Sequence, residues 1–137
     1  MTLVVPDPIR DAVCAHARSG APREVVGVLA GDRREGRSVV RRAYRAENAA
    51  GDPRTRYEIA ASAEIALLER IDDAGLDTVG FYHSHPEGPP GPSETDARLA
   101  AWPGRSYVIV SLGADAPETG AWRWDGERFV PEPIERV

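Results

Sequence analysis

Apolar residues recur at helical spacing from Asp7 to Ser19, where Ile9, Ala12, Val13 and Ala17 form one stripe. Asp7 stands as the N-cap, Pro8 at the first helical position and Gly20 just past the end, residue types that start and stop helices. The period then changes. The run 24-EVVGVLA-30 is continuous, apolar and β-branched, and Gly31-Asp32 closes it, which predicts a buried strand. Ser38 to Arg45 predicts a second strand, joined to the first by the polar turn GDRREGR. A polar connection, 46-AENAAGDPRTR-56, leads to a brief predicted strand at Tyr57-Glu58-Ile59. Helical spacing returns in 61-ASAEIALLERIDDAG-75 through Ile65, Leu68 and Ile71, with Gly75 as the stop. Asp77 to His85 predicts a strand, Glu94 to Trp102 a helix, and 106-SYVIVSL-112 a strand buried on both faces. In 120-GAWRWDGERFV-130, Asp125-Gly126 between alternating runs predicts a hairpin.

Helices and strands thus alternate irregularly, with hairpins among them and no internal repeat. That order predicts an α/β class of mixed α+β type, one central mixed sheet flanked by helices. A chain of 137 residues has the size of a single domain, 1–137, and needs no staple to fold. Cys14 is the one cysteine, so neither an internal disulfide nor a four-cysteine zinc cluster can form, and a reducing cytoplasm is the expected home. No stretch approaches the roughly 20 apolar residues that span a membrane, and no secretory leader is expected. The formal charge of −5 disfavours a nucleic-acid partner, whose phosphates call for clustered cations. The basic residues are all arginine, with no lysine.

The chemistry concentrates in 83-HSHPEGPPGPSETD-96. Successive side chains of a strand point to opposite faces, so His83 and His85 project from one side with backbones about 6.7 Å apart. Val79 and Phe81 are expected on that same face. Pro86 has no amide proton to give and ends the strand. Ser93-x-x-Asp96 ahead of a helix reads as a capping box, which explains both residues without any metal. The short loop 86-PEGPPGP-92, however, folds the helix start back towards the strand end. Two imidazoles and the Asp96 carboxylate then make the three-ligand set of a catalytic zinc site, whose fourth position stays open to water. Hydrolysis also calls for a base. Glu24, at the mouth of the first predicted strand, is the candidate.

These residues resemble the JAMM (MPN+) zinc metalloprotease family. Its pattern, E-x-x-G, then H-[ST]-H-P, then S-x-x-D with seven residues between the second histidine and the serine, stands here as Glu24 to Gly27, His83 to Pro86, Ser93 and Asp96. The resemblance implies the family's three-layer, cytidine-deaminase-like fold and one Zn2+ held by His83, His85 and Asp96. It implies Glu24 as general base and then acid, and Ser93 stabilising the tetrahedral oxyanion. The implied substrates are ubiquitin-like modifier proteins and their conjugates, cleaved after a C-terminal Gly-Gly whose extended tail adds to an exposed sheet edge. The chain looks most like prokaryotic members, above all the archaeal enzymes that remove small ubiquitin-like modifiers, with bacterial ones that process sulfur carriers as the alternative.

Two other classes compete. Two histidines and a carboxylate also form the facial triad of non-haem iron oxygenases, although their usual ligand order differs and their all-β fold conflicts with three predicted helices. A non-catalytic module stabilised by zinc would keep the ligands without turnover. A zinc nucleoside deaminase fails because its P-C-x-x-C ligands cannot come from one cysteine.

Overall fold

The computed structural model describes residues 1–137. Strands β1 (Thr2–Val5), β2 (Val26–Arg34), β3 (Arg37–Ala46), β4 (Asp77–His85), β5 (Ser106–Ser111), β6 (Glu118–Trp124), β7 (Phe129–Glu132) and β8 (Ile134–Arg136) form one sheet, with helices α1 (Asp7–Gly20), α2 (Ala61–Asp73) and α3 (Glu94–Leu99) between them. The strand order is β7-β6-β5-β4-β2-β3-β1-β8. The β4–β5, β1–β3 and β1–β8 pairs are parallel and the rest antiparallel, which is the expected mixed sheet.

Two cores cover its faces. Val13, Cys14 and Ala17 of α1 pack with Leu3, Leu29, Val79 and Tyr82 on one side. Leu67 and Ile71 of α2 pack with Val28, Phe81 and Tyr107 on the other, where Ala97 of α3 and Trp102 join them. Helices therefore lie on both faces, giving three layers.

The expected face-sharing of Val79 and Phe81 does not hold. Leu29 pairs with Gly80 and Ala30 with Thr78, so Val79 is an extra residue in β4. Such a bulge shifts the alternation by one position, and Val79 and Phe81 end in opposite cores. Only Phe81 leads in line to His83 and His85.

Other boundaries move for local reasons. Pro6, not Asp7, is the N-cap of α1 and supplies no side-chain cap; the Asp7 carboxylate instead pairs with Arg136 at 3.1 Å. On α2, Ile65 is 57% exposed while Leu67 and Ile71 are buried. At 3.6 residues per turn, Ile65 and Ile71 are about 120° apart and cannot share a stripe. The third helix stops at Leu99 rather than Trp102. The Tyr107 hydroxyl accepts from the amides of Ala101 and Trp102, both at 3.3 Å, and Trp102 precedes a proline, which disfavours helical backbone. Residues 57–59, a predicted strand, belong to no helix or strand. The hairpin is present with Trp124 opposite Phe129, its loop closed by Asp125 Oδ1 accepting from Glu127 and Arg128 at 2.8 Å.

Candidate metal centre

The C-terminal end of β4 lies between β2 and β5 in mid-sheet. His83 and His85 leave it on the side that α3 covers, and both are buried. The loop after Pro86 returns the chain to Ser93, whose Oγ accepts from the Asp96 amide at 3.0 Å while Asp96 Oδ2 accepts from the Ser93 amide at 2.9 Å. The capping box is therefore real. It does not compete with the histidines. Asp96 Oδ2 also lies 3.0 Å from His85 Nε2 and 3.2 Å from His83 Nε2, so the cap holds the carboxylate against both rings.

Glu24 arrives from the other side. It sits just before β2, 6% exposed, and its backbone is tied at both ends. Its amide donates to the Pro53 carbonyl at 2.6 Å, and its carbonyl accepts from Asn48 Nδ2 at 2.9 Å. The next residue is pinned to β4. The Val25 amide donates to Ser84 Oγ at 2.8 Å, and the Ser84 amide donates to the Val25 carbonyl at 3.1 Å. Ser84, between the histidines, points to the opposite face and uses its hydroxyl to hold the chain beside Glu24. Gly27 lets the Tyr82 ring lie against β2, since a Cβ there would meet the ring at 2.2 Å.

One ligand atom from each of Glu24, His83, His85 and Asp96 lies within 4.8 Å of the others. His83 Nδ1 and Nε2 and Glu24 Oε1 are buried without a hydrogen-bond partner. Buried polar atoms are normally paired, so Glu24 Oε1, and His83 Nε2, which lies near the Asp96 carboxylate without a hydrogen bond to it, fit a cation. The spacing fits too. Ligands about 2.0–2.1 Å from a tetrahedral zinc lie about 3.3 Å apart, close to the 3.0 and 3.2 Å from Asp96 Oδ2 to the two imidazoles. His85 Nδ1 lies 2.9 Å from the Pro89 carbonyl. A carbonyl only accepts, so Nδ1 carries a proton and Nε2 is the nitrogen left to face a metal.

The electrostatics follow from this crowding. Burial drives the Glu24 carboxyl up to about 7, helped by Asp96 and Asp52 and opposed by His85. Burial also lowers the basicity of His83 despite Asp96 beside it. For His85 burial works the same way, but the contacts with Asp96 and Pro89 outweigh it and its pKa is raised. Burial would raise Asp96, yet His83, His85 and the Ser93 amide hold it far below the usual carboxylate range.

A cleft of about 460 Å³ opens beside the centre, bounded by Tyr57, Ile59, Phe81, Thr95, Arg98 and Trp102 among others. β4 is paired on both sides and the sheet edges are β7 and β8, so no sheet edge reaches the histidines, contrary to the expectation from sequence. The segment 56–59 borders the cleft instead.

All four clustered residues and the cap were named from sequence. Ser84, Asn48 and Tyr57 were given no role at the site. For Ser84 the signal was present, because a residue between two same-face histidines must point at the neighbouring layer.

The family of prokaryotic homologs of the JAB domain matches residues 6–125. A desampylase from Haloferax volcanii is 47% identical over 124 residues, 88% of this chain and 86% of that protein. A CysO-cysteine peptidase from Mycobacterium tuberculosis is 37% identical, over 80% of this chain and 73% of its own length. A solved structure from Desulfitobacterium hafniense has a TM-score of 0.89 at 27% identity, covering 98% of this chain and 92% of that one. The chain belongs to the JAB/MPN domain family, in its prokaryotic branch.

Proposed function

We propose that this protein is a zinc-dependent isopeptidase that cleaves after the C-terminal Gly-Gly of a ubiquitin-like modifier. It acts as a single cytoplasmic domain. In this reading His83, His85 and Asp96 hold the metal, Glu24 moves the proton and Ser93 donates to the oxyanion. The observation that carries it is the convergence of two imidazole Nε2 atoms and a capped carboxylate with a separate buried acid, all within 4.8 Å. A purely structural metal site would have no use for a separate buried acid facing it. Zinc bound there supplies a Lewis acid for the scissile carbonyl and lowers the pKa of water to about 7.

The protein's own groups do the rest. In the metal-free site burial pushes Glu24 up to about 7; a dication beside it would pull it down and keep the carboxylate form that takes a proton. Glu24 accepts one from the attacking water and returns it to the departing amine, an effect typically worth about 10² to 10⁴ in rate. Ser93 Oγ is an acceptor towards Asp96, which leaves its own proton free to donate to the oxyanion. The Arg56 carbonyl and the Glu58 amide are bound inward by Asn48, and the Glu58 carbonyl by Ala49. The N–H and C=O of a trans peptide point opposite ways, so the Tyr57 amide and carbonyl turn away from Asn48, and an extended Gly-Gly tail can pair with them in the cleft.

The relative named as a desampylase supports an isopeptide substrate. The CysO-cysteine peptidase supports a second reading, release from a sulfur-carrier protein, through the same site. Incubating the protein with Gly-Gly-linked conjugates of each kind, with and without a chelator, tests both. Chelator-sensitive cleavage of one of them is expected, and a zinc-loaded protein that cleaves neither overturns the proposal.

A further inference from the structure

The two histidines are held differently. His85 has its outer nitrogen fixed by the Pro89 carbonyl. His83 is fully buried, yet its Nδ1 has no hydrogen-bond partner. The Tyr57 ring lies against it instead, with centroids 4.3 Å apart and planes 29° from parallel.

Tyr57 belongs to no helix or strand, so something else must hold its ring in place. Asn48 does so with its whole side-chain amide. Nδ2 donates to the carbonyls of Glu24 at 2.9 Å and Arg56 at 3.0 Å. Oδ1 accepts from the amides of Ala50 at 3.0 Å and Glu58 at 3.1 Å. The residues on both sides of Tyr57 are thereby anchored to the backbone of Glu24.

We propose that Tyr57 is a positioning residue for His83, with Asn48 as its anchor: the stacked ring fixes the imidazole plane that a hydrogen bond fixes for His85. The inference rests on the metal-site reading above. Rotation about the bond to a planar ring is soft, so an imidazole without a second hydrogen bond needs another restraint to present one nitrogen to an ion. A ring face supplies it, and the phenol oxygen is not needed. Through the same anchor, one side chain keeps Glu24 and His83 in register across the site.

Tyr57 also borders the cleft, so activity alone cannot separate positioning from substrate contact. Zinc affinity can. The experiment measures the zinc dissociation constant of the full chain by chelator competition, without substrate, in the parent, Tyr57→Phe, Tyr57→Leu and Asn48→Ala. Losing an outer partner of a metal ligand typically costs 10- to 100-fold in metal affinity, so Tyr57→Leu should weaken zinc by about tenfold or more and Tyr57→Phe by less than about threefold. Asn48→Ala should weaken zinc and also abolish the ring-current shift of the His83 ring protons in NMR spectra. Zinc binding by Tyr57→Leu as tight as the parent's overturns the proposal, as does an equal loss in Tyr57→Phe. If Tyr57→Leu does not fold, Asn48→Ala decides: a lost ring-current shift with unchanged affinity overturns the proposal. A parent that binds no zinc sinks the metal-site reading itself.

Discussion

Replacing Glu24 by Gln removes a titrating group but keeps the side chain's size, and its effect on metal-free protein can be worked from the site. The carboxyl is 6% exposed, and burial moves it from 4.5 to about 7. A carboxyl raised on folding binds its proton more tightly in the native state than in the unfolded one. Between pH 4.5 and 7 the native state therefore carries more protons, and stability must fall as pH rises. A tenfold gain in proton affinity corresponds to about 1.4 kcal/mol, so the full effect is about 3 kcal/mol. Glu24→Gln lacks this loss. Urea denaturation of both chelated proteins from about pH 4 to about pH 8 should give similar stabilities at the acid end and a gap opening to about 3 kcal/mol in favour of Glu24→Gln at the alkaline end. His85 and Asp96 titrate in both proteins and largely cancel in the difference. Parallel stability curves would refute the reasoning, because Glu24 would then be bearing no burial cost.

Asp96→Ala should lose stoichiometric zinc by elemental analysis, whereas a residue serving only as part of a helix cap would cost about 1 kcal/mol and spare the metal. Ser93→Ala should keep zinc and lose about 10² to 10³ in kcat; an unchanged kcat would remove Ser93 from the chemistry. Gly27→Ala forces a methyl to within 2.2 Å of the Tyr82 ring, in a position where the ring is 1% exposed and has no room to retreat. It should lower stability by about 1–3 kcal/mol in denaturant titration, and an unaffected midpoint would show that β2 yields there.

The parts of this fold that were legible in the sequence are those whose signals are local. The α1 stripe lies within a few residues, though Ala12 proves exposed and Cys14 takes its place in the core; the β5 run and the Ser93 cap are as local, and the pattern from Glu24 to Asp96 could be read as one site because its members are specific in type and spacing. Strands β1 and β8 were not expected. They are short, lie among prolines and pair with each other as Leu3 with Ile134, a contact that only the closed fold creates. The Val79 bulge was equally hidden, since alternation in β4 gives no sign of the register of β2. Asn48 reads as one more polar residue in a connection until its four bonds are seen. Tyr57 was visible as part of a short apolar stretch, but its partner is the His83 imidazole, far along the chain, and no periodicity encodes that.

Everything proposed for the chemistry depends on one cation held between the end of β4 and the start of α3, with Glu24 facing it but not replacing a ligand. X-ray absorption at the zinc edge of the reconstituted protein and of Glu24→Gln tests this most directly. Both should hold one zinc per chain, with two imidazole nitrogens and carboxylate or water oxygens at about 2.0–2.2 Å and no sulfur. A protein that takes up no zinc, or a first shell that loses a ligand in Glu24→Gln, would contradict it.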